Sequence, residues 1–267
     1  MKSGVILFLL LLSLKLCSQN FYGAPMQATA NTGLALPSVY GLTANAAVIS
    51  RLKRPHIGVG YQPHFLTNDI RAQALLASLP VGPANTVGLA INNYGLKGTS
   101  SLLTLRAIYV RAFGDIFSTS VATNYHQYHV KGYGGDNTLS LDLGAHFTIN
   151  EMLSLGLLFR NVTSSRFEDT IDQYISKEVG TGLLYSISKE VLFTADVYYS
   201  ALYGVDPRFG ITYHIDNLVV LRGGATLVPM QYFAGIGLTL GKLLFDISSS
   251  FHTRLGASPQ LSLAYGF

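Results

Sequence analysis

Between Thr138 and Asn161 the chain alternates apolar and polar residues with a period of two, twice in succession. In the first run Leu139, Leu141, Leu143, Ala145, Phe147 and Ile149 fall on one face, and Thr138, Ser140, Asp142, Gly144, His146 and Thr148 on the other. The second run sets Leu153, Leu155, Leu157 and Phe159 against Ser154, Gly156, Leu158 and Arg160, with Leu158 as the departure from the rule. Successive side chains of a β-strand point to opposite faces, so the pattern specifies an antiparallel hairpin with one oily and one polar side. A soluble two-layer sheet alternates in the same way. The hairpin alone leaves open whether its oily face meets protein or lipid.

Composition bears on that choice. Asp, Glu, Lys and Arg make up 12% of the 267 residues, against roughly 25% in a soluble domain. Mean hydropathy is positive, yet no internal run approaches the roughly 18 apolar residues of a membrane-spanning helix. A chain that is apolar overall without a long apolar run fits one membrane β-barrel better than two soluble domains. Residues 1–18 read as an export signal, with Lys2 ahead of an apolar core from Val5 to Leu14. Cys17 is either discarded with the signal or kept as a lipid-carrying first residue. If it is discarded, no disulfide and no thiolate metal site is available. Loss of Lys2 and Lys15 also leaves 16 basic residues of the original 18 against 14 acidic ones. That balance predicts no nucleic-acid partner, and Arg51, Lys53 and Arg54 read as a solvated or interfacial turn.

Residues 19–54 carry no strand pattern and read as a plug inside a barrel or a periplasmic segment, with a short helix over Thr43–Leu52 capped by Thr43. From residue 55 to 267 fourteen strands are predicted: 56–63, 68–79, 85–94, 100–113, 116–130, 138–149, 152–161, 177–187, 191–200, 207–215, 218–227, 231–240, 243–252 and 259–267. An even number of strands near 9 to 11 residues suits an outer-membrane barrel. With both termini at the periplasm, the links after even-numbered strands are tight and most of the others longer, the sorting expected of such a barrel. Tyr and Phe gather towards strand ends, among them Tyr125, Tyr128, Tyr198, Tyr199, Tyr213, Phe233, Tyr265 and Phe267, and read as interfacial girdles. The last strand ends in Phe267, like the signal that outer-membrane barrels present to their assembly machinery. The expected fold is therefore all-β: a transmembrane antiparallel up-and-down barrel in the outer membrane of a Gram-negative cell.

The polar faces then line the lumen. They bring Arg106, Asp142, His146, Arg160, Glu178, Asp196, Arg222 and Asp246 together, and a three-residue turn between Ile149 and Leu153 sets Asp142 across from Arg160. A wall of charges neutralising one another is the plain reading; a ligand-specific polar site is the alternative. No catalytic residues emerge. Gly-x-Ser-x-Gly is absent, His126 and His129 fall on opposite strand faces and cannot share a metal, and no glycine loop cradles a phosphate. Gly223-Gly224 reads as strand thinning and Gly132 to Gly135 as a loop. Neither enzyme activity nor a cofactor is expected.

The order of motifs resembles the PorV/PorQ family of Bacteroidetes outer-membrane proteins, relatives of the FadL-type fatty-acid transporter. The likeness rests on Ala30-Asn31-Thr32-Gly33-Leu34-Ala35 followed by Asn45-Ala46-Ala47, where the family has Asn-Pro-Ala-Gly and this chain has Ala46 and Val48. It continues at Phe113-Gly114-Asp115 leading to Tyr125, and at Leu155-Gly156 followed by Arg160-Asn161-Val162-Thr163. The resemblance implies a fourteen-stranded barrel with an amino-terminal segment, including Asn45, inside. It also implies a non-enzymatic accessory of type IX-like protein secretion or surface attachment, working through partner proteins. The alternative is FadL-like transport of small hydrophobic molecules. A transporter should hold an apolar cavity beside the amino-terminal segment, an accessory a filled lumen. A soluble secreted sandwich is the third reading.

Overall fold

The computed structural model describes residues 21–67, 69–168, 173–201, 204–252 and 256–267. The export-signal reading and Cys17 lie outside them. The strands are β1 (His56–Pro63), β2 (Ile70–Val81), β3 (Asn85–Leu96), β4 (Ser100–Phe113), β5 (Phe117–Val130), β6 (Gly134–Thr148) and β7 (Leu153–Arg160). A two-residue pair follows, β8 (Arg166–Phe167) and β9 (Gln173–Tyr174). Then come β10 (Glu178–Ser186), β11 (Val191–Ser200), β12 (Gly204–His214), β13 (Val219–Leu227), β14 (Met230–Leu240), β15 (Leu243–His252) and β16 (Gly256–Gly266). Among the described residues, β8 and β9 pair with each other and the other fourteen strands form one closed antiparallel barrel, shut by β1 on β16 from His56↔Gly266 to Tyr61↔Leu261. Closure removes the two full-length edges of an open sheet and rules out a sandwich.

The barrel is inverted relative to a soluble protein. Leu75, Leu89, Val121, Leu143, Phe159, Val197, Ile211, Ile236 and Ile247 are outward and exposed, while Arg106, Asp142, Arg160, Asp196 and Asp246 are inward and at most 5% exposed. Lipid solvates the first set, since an Arg or Lys at the bilayer midplane costs about 2–4 kcal/mol. The chain is an outer-membrane β-barrel. Aromatic rings mark its ends: Phe113, Phe117 and Phe147 stack in sequence at 5.5 and 4.8 Å, and Tyr265 meets Phe267 edge-on at 5.0 Å. Tyr198 and Phe233 are not part of a girdle; they face inward and are buried. Tyr128 also leaves the girdle, its ring 6.2 Å from Phe167 in the β7–β10 connection.

The loops differ from expectation. Several strands run past their predicted ends, with β6 beginning at Gly134, β12 at Gly204 and β16 at Gly256. These three glycines have φ of 95°, 75° and 87°, a left-handed turn conformation that costs glycine little. The glycine run at 132–135 is therefore half turn and half strand. Connections 97–99 and 131–133 become as short as 82–84, 114–116 and 241–242 at the other end, 228–229 is short as expected, and 64–69 and 161–177 span longer stretches. Loop length by parity is thus a weak feature of this molecule, and the barrel rests on closure and inverted polarity instead.

Residues 21–52 lie inside. Helix α1 (Ala24–Ala28) packs on β13 to β16, and two 3-10 turns, Val39–Leu42 and Ala46–Arg51, pack on β1 to β6. The predicted helix over Thr43–Leu52 is replaced by the second of these turns. Its cap is Asn45, whose Oδ1 accepts from Ala47 N at 3.2 Å, while Thr43 closes the first turn. An Asn three residues before a run of β-branched Val48 and Ile49 favours a short turn over a longer helix.

Candidate functional site

The lumen is the candidate site, and its wall is shaped to receive the inner segment. Inward glycines remove side chains where that backbone passes. A Cβ at Gly156 would overlap the Leu34 carbonyl oxygen, and one at Gly224 would lie 2.6 Å from Ala30 N. Side chains then fasten the segment by hydrogen bonds. Asp196 Oδ2 accepts from Gly33 N (2.8 Å) and Leu34 N (3.2 Å), Ala24 N donates to Ser262 Oγ (2.8 Å), and the Gln260 amide donates to Tyr22 O. Asn45 Nδ2 donates to Leu34 O (2.7 Å) and to Ala145 O on β6 (2.9 Å), so one side chain joins both parts of the segment to the wall. Leu158, the residue out of pattern, faces inward and packs with Leu34 and Tyr198.

Charge is gathered on one side. Arg106 donates to Asp142 Oδ2 at 2.8 Å, Arg160 to Glu178 Oε2 at 2.9 Å, and both guanidiniums reach the Thr43 carbonyl, at 3.4 and 3.2 Å. Asp142 and Arg160 come no closer than 4.0 Å. The expected cross-strand pair is therefore the minor contact, because Asp142 reaches past β5 to Arg106 and its other oxygen accepts from Asn161 N at 2.8 Å. Arg222 and Asp246 pair at 2.5 Å across β14, and the His146 ring lies against the Ala35 backbone. Sequence reasoning did not single out Arg208, which is held by Asp206 at 2.7 Å with its guanidinium 4.2 Å above the Tyr198 ring. Its alternation with inward Gly210 and Thr212 was the available signal. Every candidate polar residue named from sequence faces the interior, and they form two separate ion-pair groups plus Asp196 and His146 rather than one cluster. Among the described residues no three His, Cys, Asp or Glu side chains gather as a metal would require.

The opposite side is uncharged and largely apolar. The inward positions of β1 to β3 include Gly58, Gly60, Ala72, Ala74, Leu76 and Ala90 beside the neutral polar Gln62, Ser78, Thr86 and Asn92, with no Asp, Glu, Lys or Arg among them. Val39, Tyr40, Leu42, Val48 and Ile49 of the inner segment pack here with Leu76, Ala90, Ile108 and Val110. The Tyr40 hydroxyl donates to Val59 O at 3.3 Å. Farther from the termini Phe21, Ala72, Ala74 and Tyr94 form a second apolar group, with the Phe21 ring over Gly60 and His64 edge-on to Tyr94 at 5.4 Å.

That second group lies behind a break in the wall. The β1–β16 ladder stops at Tyr61↔Leu261, although β16 continues to Gly256 and pairs with β15 throughout. The register would next oppose Gln62 to Gln260 and Pro63 to Pro259, and neither proline has an N–H to give. Phe65 N donates to Ser258 Oγ (2.9 Å) across the gap. Six residues of tilted strand rise about 14 Å, so the break begins near the middle of an apolar band about 25 Å tall.

No family profile and no curated sequence matches the chain. Solved structures do match in shape. The CymD monoaromatic hydrocarbon channel aligns over 92% of this chain and 97% of its own at 12% identity, with a TM-score of 0.67. A Pseudomonas aeruginosa FadL homologue aligns over 92% and 98% at 11% identity and a TM-score of 0.67. The P. putida toluene transporter TodX aligns over 93% and 99% at 12% identity and a TM-score of 0.68. Identities this low speak for shape alone: the chain has a FadL-like fold, a fourteen-stranded outer-membrane barrel carrying its amino-terminal segment.

Proposed function

We propose that this barrel passes small apolar molecules between the bilayer and its interior, admitting them at the β1–β16 break. In this reading residues 1–18 are removed on export, 19–54 form the plug and 55–267 the barrel. The observation that carries it is the apolar group of Phe21, Ala72, Ala74 and Tyr94 directly behind the unpaired stretch of wall, in a lumen whose other side is charged. The likeness in fold to channels described as carrying toluene and other monoaromatic hydrocarbons supports the same choice. Passage requires the inner segment to shift along the apolar side, around Phe21 and Tyr94, while its hydrogen bonds to Asp196 hold.

The protein has no tryptophan, so a Tyr94→Trp variant reports on this region alone. In vesicles, bromobenzene should quench the indole of that variant with a saturable component that a Gln62→Cys/Gln260→Cys disulfide suppresses. Purely linear quenching, equal to that of a Tyr198→Trp variant on the charged side, would reject the reading. A non-enzymatic accessory of protein secretion is the second reading, and the filled lumen favours it. Co-purification of secretion proteins from detergent-solubilised membranes, with no saturable bromobenzene site, would establish it in place of the first.

A further inference from the structure

A different feature lies on the outside of the same three strands, close to the chain termini. There β1, β2 and β3 enclose a lipid-facing depression of about 330 Å³. Its floor is Ala77, the small residue paired across the sheet with Ile57 on one side and Leu89 on the other. Leu79, Val87 and Phe267 raise its rim. All of these present hydrocarbon, so the slot accepts a flexible alkyl chain and offers nothing to a polar group. The closed barrel also has no strand edge here for a protein to pair with.

The membrane-surface end of the slot has the opposite character. Pro55 and His56 line it, and Lys53 and Arg54 immediately precede them, both exposed. His56 Nδ1 lies 2.7 Å from Arg54 O, which ties the turn to the head of β1. Arg51 is turned away towards Asp115 at 3.9 Å. From Ser50 to Asn68 the sequence has no acidic residue. Lys53 also borders a second depression beside the β2–β3 turn, with Pro80, Gly82 and Pro83. A hydrocarbon slot whose Pro55–His56 end follows directly on two exposed cations in the chain matches one class of molecule in both its parts. We propose that this is a binding site for an anionic phospholipid, with one acyl chain over Ala77 and the phosphate between Lys53 and Arg54. Anionic headgroups are drawn to juxtamembrane cations within a Debye length, and a fixed slot converts that attraction into a site. The site is independent of whether the lumen conducts.

Lipids with brominated acyl chains quench a nearby tryptophan, and the chain brings none of its own. Leu79→Trp places the reporter on the rim, and Tyr213→Trp places a control reporter on the outer face of β12 near the same end of the barrel. Brominated phosphatidylglycerol diluted into phosphatidylcholine should quench the rim reporter at about one-fifth the mole fraction that brominated phosphatidylcholine requires, and should show no such advantage at the β12 control. Lys53→Gln/Arg54→Gln should abolish the preference, and Ala77→Phe should abolish it by filling the slot. Equal quenching by the two lipids at the rim, an equal preference at the β12 control, or a preference that survives loss of both cations would overturn the proposal. Should Leu79→Trp fail to assemble, mass analysis of phospholipid retained by the unaltered protein decides. Enrichment of phosphatidylglycerol over the bulk membrane that disappears in Lys53→Gln/Arg54→Gln supports the site, and the bulk composition in both overturns it.

Discussion

The two sides of the lumen hold the same inner segment by different physics. Along β1 to β3 the contact is hydrocarbon on hydrocarbon, with Leu42, Val39 and Tyr40 against Leu76, Ala90 and the inward glycines. Along β6 to β12 it is ionic and hydrogen-bonded, with Asp142, Arg160, Glu178 and Asp196 holding one another or the segment's backbone. Apolar contact is non-directional and tolerates sliding. Charged groups taken out of water are tied to specific partners, because each costs several kcal/mol when left alone. The ionic side is therefore the anchor and the apolar side the surface along which the segment can move. The break in the ladder lies on the apolar side.

Removing a charge from the anchor gives the largest expected effect. Asp142→Ala leaves Arg106 without its carboxylate and Asn161 N without an acceptor, both in the buried interior. Destabilisation of about 3–5 kcal/mol is expected, measured by urea unfolding in lipid vesicles. The double variant Arg106→Met/Asp142→Leu should recover most of it, since an apolar pair of similar volume carries no desolvation cost. If the single change is silent, water reaches this side and the contrast between the two walls fails.

On the apolar side, Leu76→Ala deletes a fully buried side chain beneath the inner segment. About 2–4 kcal/mol is expected in the same assay. It should also loosen the segment where it packs on Leu76, seen as faster labelling by a water-soluble maleimide of a cysteine placed at Val39, with little change for one placed at Ala35 beside the Asp196 anchor. Asp142→Ala, by contrast, should destabilise the wall and the segment together. A Leu76→Ala variant whose labelling is unchanged would mean that the apolar side does not govern movement.

How much of this was legible beforehand follows from what alternation can encode. A period of two assigns each residue to a face, which is why Arg106, Asp142, His146, Arg160, Glu178, Asp196, Arg222 and Asp246 were all placed inward from sequence. Alternation does not say what fills the interior. Leu158 looked like an error in the pattern and is a contact with Leu34; Gly224 looked like thin wall and, with Gly156, is a seat for passing backbone. Partners two strands apart were also out of reach, since cross-strand logic pairs Asp142 with Arg160 and long side chains instead link Asp142 to Arg106. The loops misled for a local reason: glycines at 134, 204 and 256 read as turn residues, and they begin strands.

Asn45 tests the joint between the two sides, since it ties Leu34 O and the β6 carbonyl of Ala145 to the second 3-10 turn. Asn45→Ala leaves two buried carbonyls without that donor and the turn without its cap. An intermediate loss of about 1–3 kcal/mol is expected. Labelling at both ends of the segment should accelerate together. Acceleration at one end only would mean that the two halves of the segment are held independently.

The smallest expected effect is at Asp196, and it separates charge from geometry in the anchor. Both backbone donors, Gly33 N and Leu34 N, converge on Oδ2, while Oδ1 has no protein partner. An asparagine can present its carbonyl oxygen at the Oδ2 position and keep both hydrogen bonds, losing only the part of their strength that the negative charge supplies. Asp196→Asn should therefore cost about 1 kcal/mol or less. Asp196→Leu removes the acceptor and should cost more, with faster labelling of the cysteine at Ala35. Equal losses in the two variants would mean that the charge itself, through Arg208 and the Tyr198 hydroxyl 3.4 Å away, holds the segment, and the anchor would then be electrostatic throughout.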